Sequence, residues 1–346
     1  CLSPMAGADG ELAGMLMARA YHLERGDAKR KVVLIPDSAH GTNPASAVMA
    51  GFDVKTLPSD ANGNTDLDAL RQSIGDDLAG LMITLPSTLG LFDTNILEVT
   101  QIVRDAGGIV YGDGANLNAL LGRVKFGELG FDVIHSNLHK TFSTPHGGGG
   151  PGAGPVIAGP RLSDYLPTPV VVRRLDGGSE IFSRVAPSKS IGRMGAFQGN
   201  FGVLVRAFAY IRTLGKEGIR AISDDAVVNA NYILAKLRGY YDLPFDRLCM
   251  HEVVLSARNL KNEFNVSALD VAKRLIDYGV HPPTMYFPLI VEEALMIEPT
   301  ETESLETLDT FIEIMKAISE EARDNPDLLH DAPHFTPNTR LDEVRA

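Results

Sequence analysis

The sequence predicts an α/β protein with one large, mostly parallel sheet and a smaller second layer of strands and helices. Three observations carry that expectation. Apolar strand-like runs alternate with helical periods along residues 31–158, and polar residues of useful chemistry close four of those runs. Strand and helix signals then resume after a stretch at 159–200 rich in Pro, Gly, Arg and Ser. With 346 residues the chain can hold one large or two unequal domains, and we expect two, 1–215 and 216–346.

The chain begins with a small-residue turn, Ala6-Gly7-Ala8-Asp9-Gly10, that feeds an apolar helical stretch, Glu11 to Tyr21. A helix N-terminus offers unpaired backbone N–H groups and a positive dipole end, a seat for an anion that needs no basic side chain. Strands are expected near 31–35, 52–57, 80–85, 109–113, 132–136 and 154–158, with helices near 44–50, 66–74 and 95–106. In such sheets ligands gather at the carboxyl ends of the strands. Those ends carry His40, Ser87 with Thr88, Asp113 and Lys140. Residues 159–200, with Arg173, Arg174 and Arg193, read as a connection with little regular structure. Phe197 to Leu214 and Ile219 to Leu237 read as helices. His251 to Ser256, Ala268 to Tyr278 and Leu295 to Ile297 read as the smaller α/β layer, and Ser304 to Ala322 as the last long helix. The tail, with Pro326, Pro333 and Pro337, reads as an extended arm. The chain opens on Cys1 rather than Met and enters at once into a functional-looking loop, so we expect a fragment whose N-terminal part is missing.

Composition removes several classes. The formal charge of −12 comes from 32 basic and 44 acidic residues, with no basic block, so no nucleic-acid partner is expected. Two cysteines, Cys1 and Cys249, build no disulfide framework and fit a cytoplasmic setting. No apolar run approaches the roughly 20 residues that span a bilayer, and no secretory signal opens the chain, so no membrane partner is expected.

Lys140 is the residue that most needs explaining. It follows the strand-like run ending at Ser136 and precedes the loop Pro145-His146-Gly147-Gly148-Gly149-Gly150. A lysine at the end of a buried strand loses solvation, which lowers its pKa and leaves an amine able to condense with an aldehyde. Upstream, Ile109 to Asp113 reads as a buried strand ending in an acid. Pyridoxal phosphate enzymes need that pair: a lysine for the aldehyde and a carboxylate that keeps the pyridine nitrogen protonated. The glycine run is not a nucleotide loop, since no Gly-Lys-Ser/Thr follows it, and reads as close backbone packing at a subunit interface. His135, His139 and His146 invite a metal reading, but pyridoxal chemistry needs no metal and none is expected.

The ordered motifs Asp37 to Ala47, Asp113 to Ala119, Asn137 to Phe142, Pro145 to Gly152 and Glu298 to Ser304 resemble glycine decarboxylase, the P-protein of the glycine cleavage system. The likeness runs along essentially the whole chain, and its length and ending resemble subunit 2 of the two-subunit bacterial form. The resemblance implies the pyridoxal-phosphate-dependent transferase fold, aspartate aminotransferase-like (fold type I), with a seven-stranded large sheet. It implies pyridoxal 5'-phosphate held covalently by Lys140, with Asp113 at the ring nitrogen, His40 stacked on the ring and Ala115 on the opposite face. Ser87 or Thr88 would reach the phenolic oxygen, Ala6, Gly7 and Ala8 would form the phosphate loop, and His139 would touch phosphate or move protons.

It further implies glycine as substrate, lipoylated H-protein as acceptor and subunit 1 as partner, in an α2β2 heterotetramer. The reaction would be decarboxylation of glycine with transfer of its aminomethyl group to the lipoyl arm. Arg193 is a candidate for the substrate carboxylate, with an interface role equally open. Two rival readings stand beside this one. A cysteine desulfurase would need a mobile nucleophilic cysteine, whereas Cys249 reads as core. The other is a cofactor-binding subunit inactive without its partner.

Overall fold

The computed structural model describes residues 1–144, 146, 150–342 and 345. It divides into two compact units, Cys1–Ser87 with Asp93–Arg220, and Thr88–Phe92 with Ala221–Ala346.

The first unit is built on β1 (Val32–Pro36), β2 (Asp53–Leu57), β3 (Leu78–Thr84), β4 (Ile109–Gly114), β5 (Val133–Ser136) and β6 (Val156–Ala158). Their order is β2-β1-β3-β4-β5-β6, parallel throughout except for the antiparallel edge strand β6. Apolar residues fill β3, and every residue of β4 is buried, the pattern of central strands covered on both faces. Helices α1 (Gly7–Glu24), α2 (Thr42–Met49), α3 (Leu67–Gln72) and α4 (Ile96–Asp105) flank the strands. Asp66 caps α3 by accepting the N–H groups of Asp68 and Ala69.

Helix α1 sits very close to the strands because three of its glycines face them. A Cβ on Gly14 would lie 2.4 Å from the Tyr111 ring, and one on Gly10 would lie 2.8 Å from the Gly154 carbonyl oxygen. The spacing Gly7, Gly10, Gly14 puts all three on one helix face.

Two expectations about the first unit need correction. Among the described residues the large sheet has six strands, not seven. The stretch after β6 is not irregular: β7 (Val170–Asp176) and β8 (Ser179–Val185) pair with each other as an antiparallel hairpin. Their turn is Gly177-Gly178, both at positive φ (55° and 85°), which glycine adopts without strain. The hairpin is largely exposed and holds its own hydrogen bonds, so it adds no strand to the sheet.

The second unit holds a three-stranded antiparallel sheet in the order β10 (Thr284–Met285), β11 (Ala294–Ile297), β9 (Val253–Ser256). Helices α7 (Arg258–Phe264), α8 (Ala268–Asp277), α9 (Leu305–Asp324) and α10 (Asp327–His330) accompany it. Leu255, Leu260, Val271, Leu275, Leu295 and Met315 form its core. Ser267 and Asp270 cap α8 reciprocally. The tail is thus not wholly extended, since α10 forms one turn within it. Between α5 (Leu138–Thr141), discussed below, and α7 lies α6 (Phe201–Leu237), a long helix broken at Gly215 (φ 62°). The compact units change at Arg220 and Ala221.

Candidate active site

Asp113 ends β4 and is 2 % exposed. Its Oδ1 accepts the Ala115 N–H at 2.9 Å, so the chain wraps around the carboxylate as it leaves the sheet. The register places Asp113 opposite His135 on β5, with His135 Nε2 3.5 Å from Oδ1. The other ring nitrogen of His135 is paired with the Tyr111 hydroxyl. Burial pulls the His135 pKa down against the upward pull of Asp113, so the ring is neutral and this contact is not an ion pair. With Tyr111 donating its hydroxyl proton to Nδ1, the ring proton stays on Nε2, facing Asp113.

Lys140 does not sit where the desolvation argument placed it. One turn of helix, α5, follows β5, and Lys140 is an exposed residue on that turn. A short turn ends the burial because the strand stops at Ser136 and the chain leaves the sheet. Lys140 still belongs to the Asp113 neighbourhood: its charge acts on Glu11, His135 and His139. His139, next to it, accepts the Ala153 N–H at Nδ1 (3.2 Å), and its ring centroid is 4.1 Å from that of His146. Burial, then the neighbouring His146 and Lys140, lower the His139 pKa to about 4. His139 is therefore neutral near pH 7 and, with Nδ1 used as an acceptor, carries its proton on Nε2.

The small-residue turn is the N-terminus of α1, as expected. Ala6 is its N-cap in extended conformation and no side chain caps the helix there, so the first-turn N–H groups are not claimed by a capping side chain. Asn137 lies against this turn: a Cβ on Gly7 would fall 2.6 Å from Asn137 Oδ1. Gly154 backs it, donating its N–H to the Pro4 carbonyl. The turn and the β4–β5 ends are therefore one neighbourhood containing Ala6, Gly7, Ala8, Asp113, Ala115, His139 and Lys140.

His40 follows β1 and is exposed, with Nδ1 2.9 Å from the Thr42 hydroxyl. Thr42 in turn donates its hydroxyl to Glu11 Oε1 at 2.8 Å, and Ser46 donates to Oε2 at 3.2 Å. Glu11 is 4 % exposed, and one ligand atom from each of Glu11, Asp113 and His135 lies within 4.8 Å of the others. Burial first, and then the charge of Asp113, raise the Glu11 pKa to about 7.

Sequence reasoning passed over Glu11 and Tyr111, and weighed His135 only as a metal ligand. The available signal for Glu11 was a carboxyl at the head of the small and apolar run Leu12 to Ala18. Ser87 falls in the first unit, where it lines a small cavity with Ser38, Ala39 and Thr84. Thr88 falls in the second. The glycine-run reading concerns Gly147, Gly148 and Gly149, which lie outside the described residues, as does Pro145. Arg193 is exposed. Cys249 is 4 % exposed, and burial pushes its thiol up to about 12, which is core chemistry rather than that of a nucleophile.

The residues fit pyridoxal phosphate. An anion seat, a buried carboxylate backed by a neutral imidazole and a lysine share one end of the sheet. The buried Ser136 Oγ, Asn137 Oδ1 and Thr144 Oγ1 lack hydrogen-bond partners among the described residues, along the segment that carries Lys140. Residues 10–149 match the model of the class-V aminotransferases, and residues 222–334 match that of the glycine dehydrogenase C-terminal domain. The solved glycine decarboxylase (P-protein) of the glycine cleavage system, in inhibitor-bound form, superposes with a TM-score of 0.76 at 21 % identity. That superposition covers 91 % of this chain and 70 % of the other. The cysteine desulfurase of Thermococcus onnurineus superposes with a TM-score of 0.69 at 16 % identity, over 92 % and 79 %. At such identities the likeness concerns the fold.

Fold and site thus define a pyridoxal-phosphate-dependent enzyme of the aspartate aminotransferase-like class. Closer relatives narrow the class. The chain is 57 % identical over 345 residues to the probable glycine dehydrogenase (decarboxylating) subunit 2 of Caldanaerobacter subterraneus, covering 100 % of this chain and 70 % of the relative. It is 56 % identical to the protein of the same description from Treponema denticola, covering 100 % and 71 %. The chain belongs to the glycine dehydrogenase (decarboxylating) subunit 2 family.

Proposed function

We propose that this chain is the cofactor-bearing subunit of a glycine decarboxylase, releasing the glycine carboxylate as CO2 and passing the aminomethyl group to the lipoyl arm of an H-protein. In the transfer the lipoyl disulfide opens, one sulfur taking the aminomethyl carbon and the other a proton. The observation that carries the site assignment is the buried Asp113 carboxylate, backed by His135, at the sheet end that also carries Lys140 and the α1 N-terminus. Pyridoxal phosphate, when bound, supplies an aldehyde for the amine and a protonated ring that accepts the electron pair left by departing CO2.

The chain's own residues supply the rest. Asp113, buried at the sheet end, would hold a proton at the ring nitrogen, with the neutral His135 ring 3.5 Å behind its carboxylate. The first-turn N–H groups of α1, with Ala6, Gly7 and Ala8, orient the phosphate, leaving the ring to be set by His40 on one face and Ala115 on the other. Lys140 carries the cofactor, and its exposed stem leaves it free to move protons once displaced. His139, neutral with Nε2–H, is a donor near phosphate. Ser87 or Thr88 reaches the phenolic oxygen.

The partner would be subunit 1, in an α2β2 assembly, and the setting cytoplasmic. What supports a partner is the family's two-subunit description together with an exposed apolar stripe, Phe201, Val205 and Phe208, at one helical spacing. Among the described residues no helix is long and apolar enough to cross a membrane.

The deciding experiment is borohydride reduction after addition of pyridoxal phosphate, with peptide mapping, followed by glycine–CO2 exchange with subunit 1 and H-protein added. A label on Lys140 and partner-dependent exchange are expected. A label elsewhere removes the site assignment, and exchange absent from the complete mixture removes the activity.

A further inference from the structure

The mechanism above makes no use of Glu11, although burying a second carboxyl beside Asp113 is costly unless it does something. We propose that Glu11 is a positioning residue for the cofactor ring: its carboxyl carries a proton beside Asp113 and, through Thr42, ties the His40 turn to the ring-nitrogen acid. This rests on the reading of Asp113 and His40 as cofactor contacts.

The geometry decides which carboxyl holds the proton. Two buried carboxyls whose oxygens lie within 4.8 Å cannot both ionise cheaply. Asp113 accepts the Ala115 N–H and faces His135 Nε2, whereas the hydrogen bonds of Glu11 come from two neutral hydroxyls, Thr42 and Ser46. Asp113 receives a backbone N–H and Glu11 receives hydroxyls alone, so of the two carboxyls it is Glu11 that holds the proton. The groups facing Glu11 are Thr42 and Ser46 from α2, Asp113 and Tyr111 from β4, His135 from β5 and Lys140 from α5. Burial keeps Tyr111 protonated and His135 neutral, so neither adds a charge beside Glu11 near neutrality.

Thr42 is the link to the other side of the ring. It has one hydroxyl proton and two acceptors in reach, Glu11 Oε1 at 2.8 Å and His40 Nδ1 at 2.9 Å, while its backbone N–H also points at Nδ1, at 3.2 Å. An ionised Glu11 claims the hydroxyl proton, and a neutral Glu11 leaves it for His40. The charge on Glu11 therefore acts on both proposed ring contacts at once: it adds a negative charge beside Asp113 and loosens the hold on His40.

The test compares wild type with Glu11→Gln, which keeps the shape and neutrality of the protonated acid, and Glu11→Asp, which keeps the charge on a shorter stem. Pyridoxal phosphate affinity and the visible absorbance of the bound cofactor are measured from pH 5.5 to 9. EDTA is present throughout to remove any divalent ion the three ligand atoms could collect. Wild type should show a transition near pH 7 in both readouts. E11Q should lose that transition and keep wild-type affinity at pH 6 within about threefold, whereas E11D should retain a transition with altered midpoint. Unfolding of the apoproteins provides a reading without cofactor: the stability difference between E11Q and wild type should widen from pH 5 to pH 8.

A transition that persists in E11Q, or a tenfold loss of affinity by E11Q at pH 6 while its apoprotein melts as wild type does, overturns the proposal. Borohydride mapping separates the two levels. If wild type is not labelled at Lys140, the cofactor reading falls and Glu11 with it. If Lys140 is labelled and E11Q still titrates, only the Glu11 proposal falls.

Discussion

Replacing Gly154 by alanine should damage the proposed phosphate seat without changing any polar side chain. Gly154 is buried, and its Cβ would lie 2.0 Å from the Ala6 carbonyl oxygen and 2.5 Å from the Ala6 carbonyl carbon. Ordinary contact begins near 3.4 Å, so the Ala6 peptide would have to retreat by about 1.4 Å. That peptide caps α1, and its oxygen accepts the Gly10 N–H at 3.1 Å, a bond that would not survive such a shift. Overpacking of this kind costs roughly 1–3 kcal/mol, and the lost backbone hydrogen bond about 1 kcal/mol. At roughly 2–4 °C per kcal/mol for a unit of this size, the apoprotein should melt several degrees lower.

Pyridoxal phosphate should bind at least about tenfold more weakly, since each 1.4 kcal/mol is a factor of about ten and the moved peptide adjoins the anion seat. Thermal unfolding of the apoprotein and titration of the visible absorbance read the two effects. Gly202→Ala is the control: it lies inside α6 with nothing within 4 Å of its Cβ, so it should be neutral or stabilise by up to about 1 kcal/mol. If G154A binds the cofactor and melts as wild type does, the close approach of Gly154 is not what places the α1 turn.

Four further outcomes follow from the same geometry. Asp113→Asn should retain borohydride labelling at Lys140 but lose glycine–CO2 exchange by about a hundredfold or more, because the ring nitrogen loses its anion; exchange within fivefold of wild type would remove Asp113 from that role. Glu11 binds its proton more tightly folded than unfolded, so its contribution is intact below about pH 4.5 and is lost as pH rises through about 7, at most about 3 kcal/mol; urea midpoints of the apoprotein at pH 5 and pH 8 should show the loss in wild type and not in E11Q. Arg274→Ala should destabilise the second unit by about 1–3 kcal/mol, because it takes one partner from Glu321, bound at 2.9 and 2.8 Å, and from the nearly inaccessible Asp277, which keep the Tyr278 hydroxyl and the His334 and Phe335 N–H groups; burial raises both carboxyls, yet their hydrogen bonds hold them below the usual range, so the wild-type contribution is present near neutrality and disappears on acidification, and a melting curve unchanged at pH 7 would discard the effect. Cys249→Ala should leave exchange within about twofold of wild type, and abolition of activity in a correctly folded variant would revive a cysteine-based mechanism.

The strand positions and the residues at the strand ends were legible because apolar runs such as Ile109–Tyr111 and Leu81–Ile83 are bounded by polar turns. The hairpin Val170–Val185 was missed because its apolar residues alternate with Arg173, Arg174 and Glu180 and stay exposed, so no buried run marks it. Only Gly177-Gly178 signalled a turn, and that pair was absorbed into a stretch read by composition. Glu11 and Tyr111 escaped, and His135 was weighed only as a metal ligand, for a different reason. Their meaning lies in register and in the closeness of α1 to the sheet, which follows from what Gly10 and Gly14 lack rather than from any group they carry.

The exposure of Lys140 and the burial of Asp113 suit the roles proposed for them. A counter-charge acts on a ring nitrogen in inverse proportion to the local dielectric, so in the proposed role Asp113 gains from sitting inside β4, with the Ala115 N–H holding it in one orientation. A lysine that must hold a cofactor and then leave it gains nothing from immobility. It is placed instead on the single turn α5, where its neighbours Leu138 and Thr141 are buried and anchor the backbone while the amine stays outside. The desolvation expected of Lys140 from the sequence treated both residues as strand ends. The structure separates them by four residues of chain beyond Ser136, and that separation lets one site contain a fixed charge and a movable one.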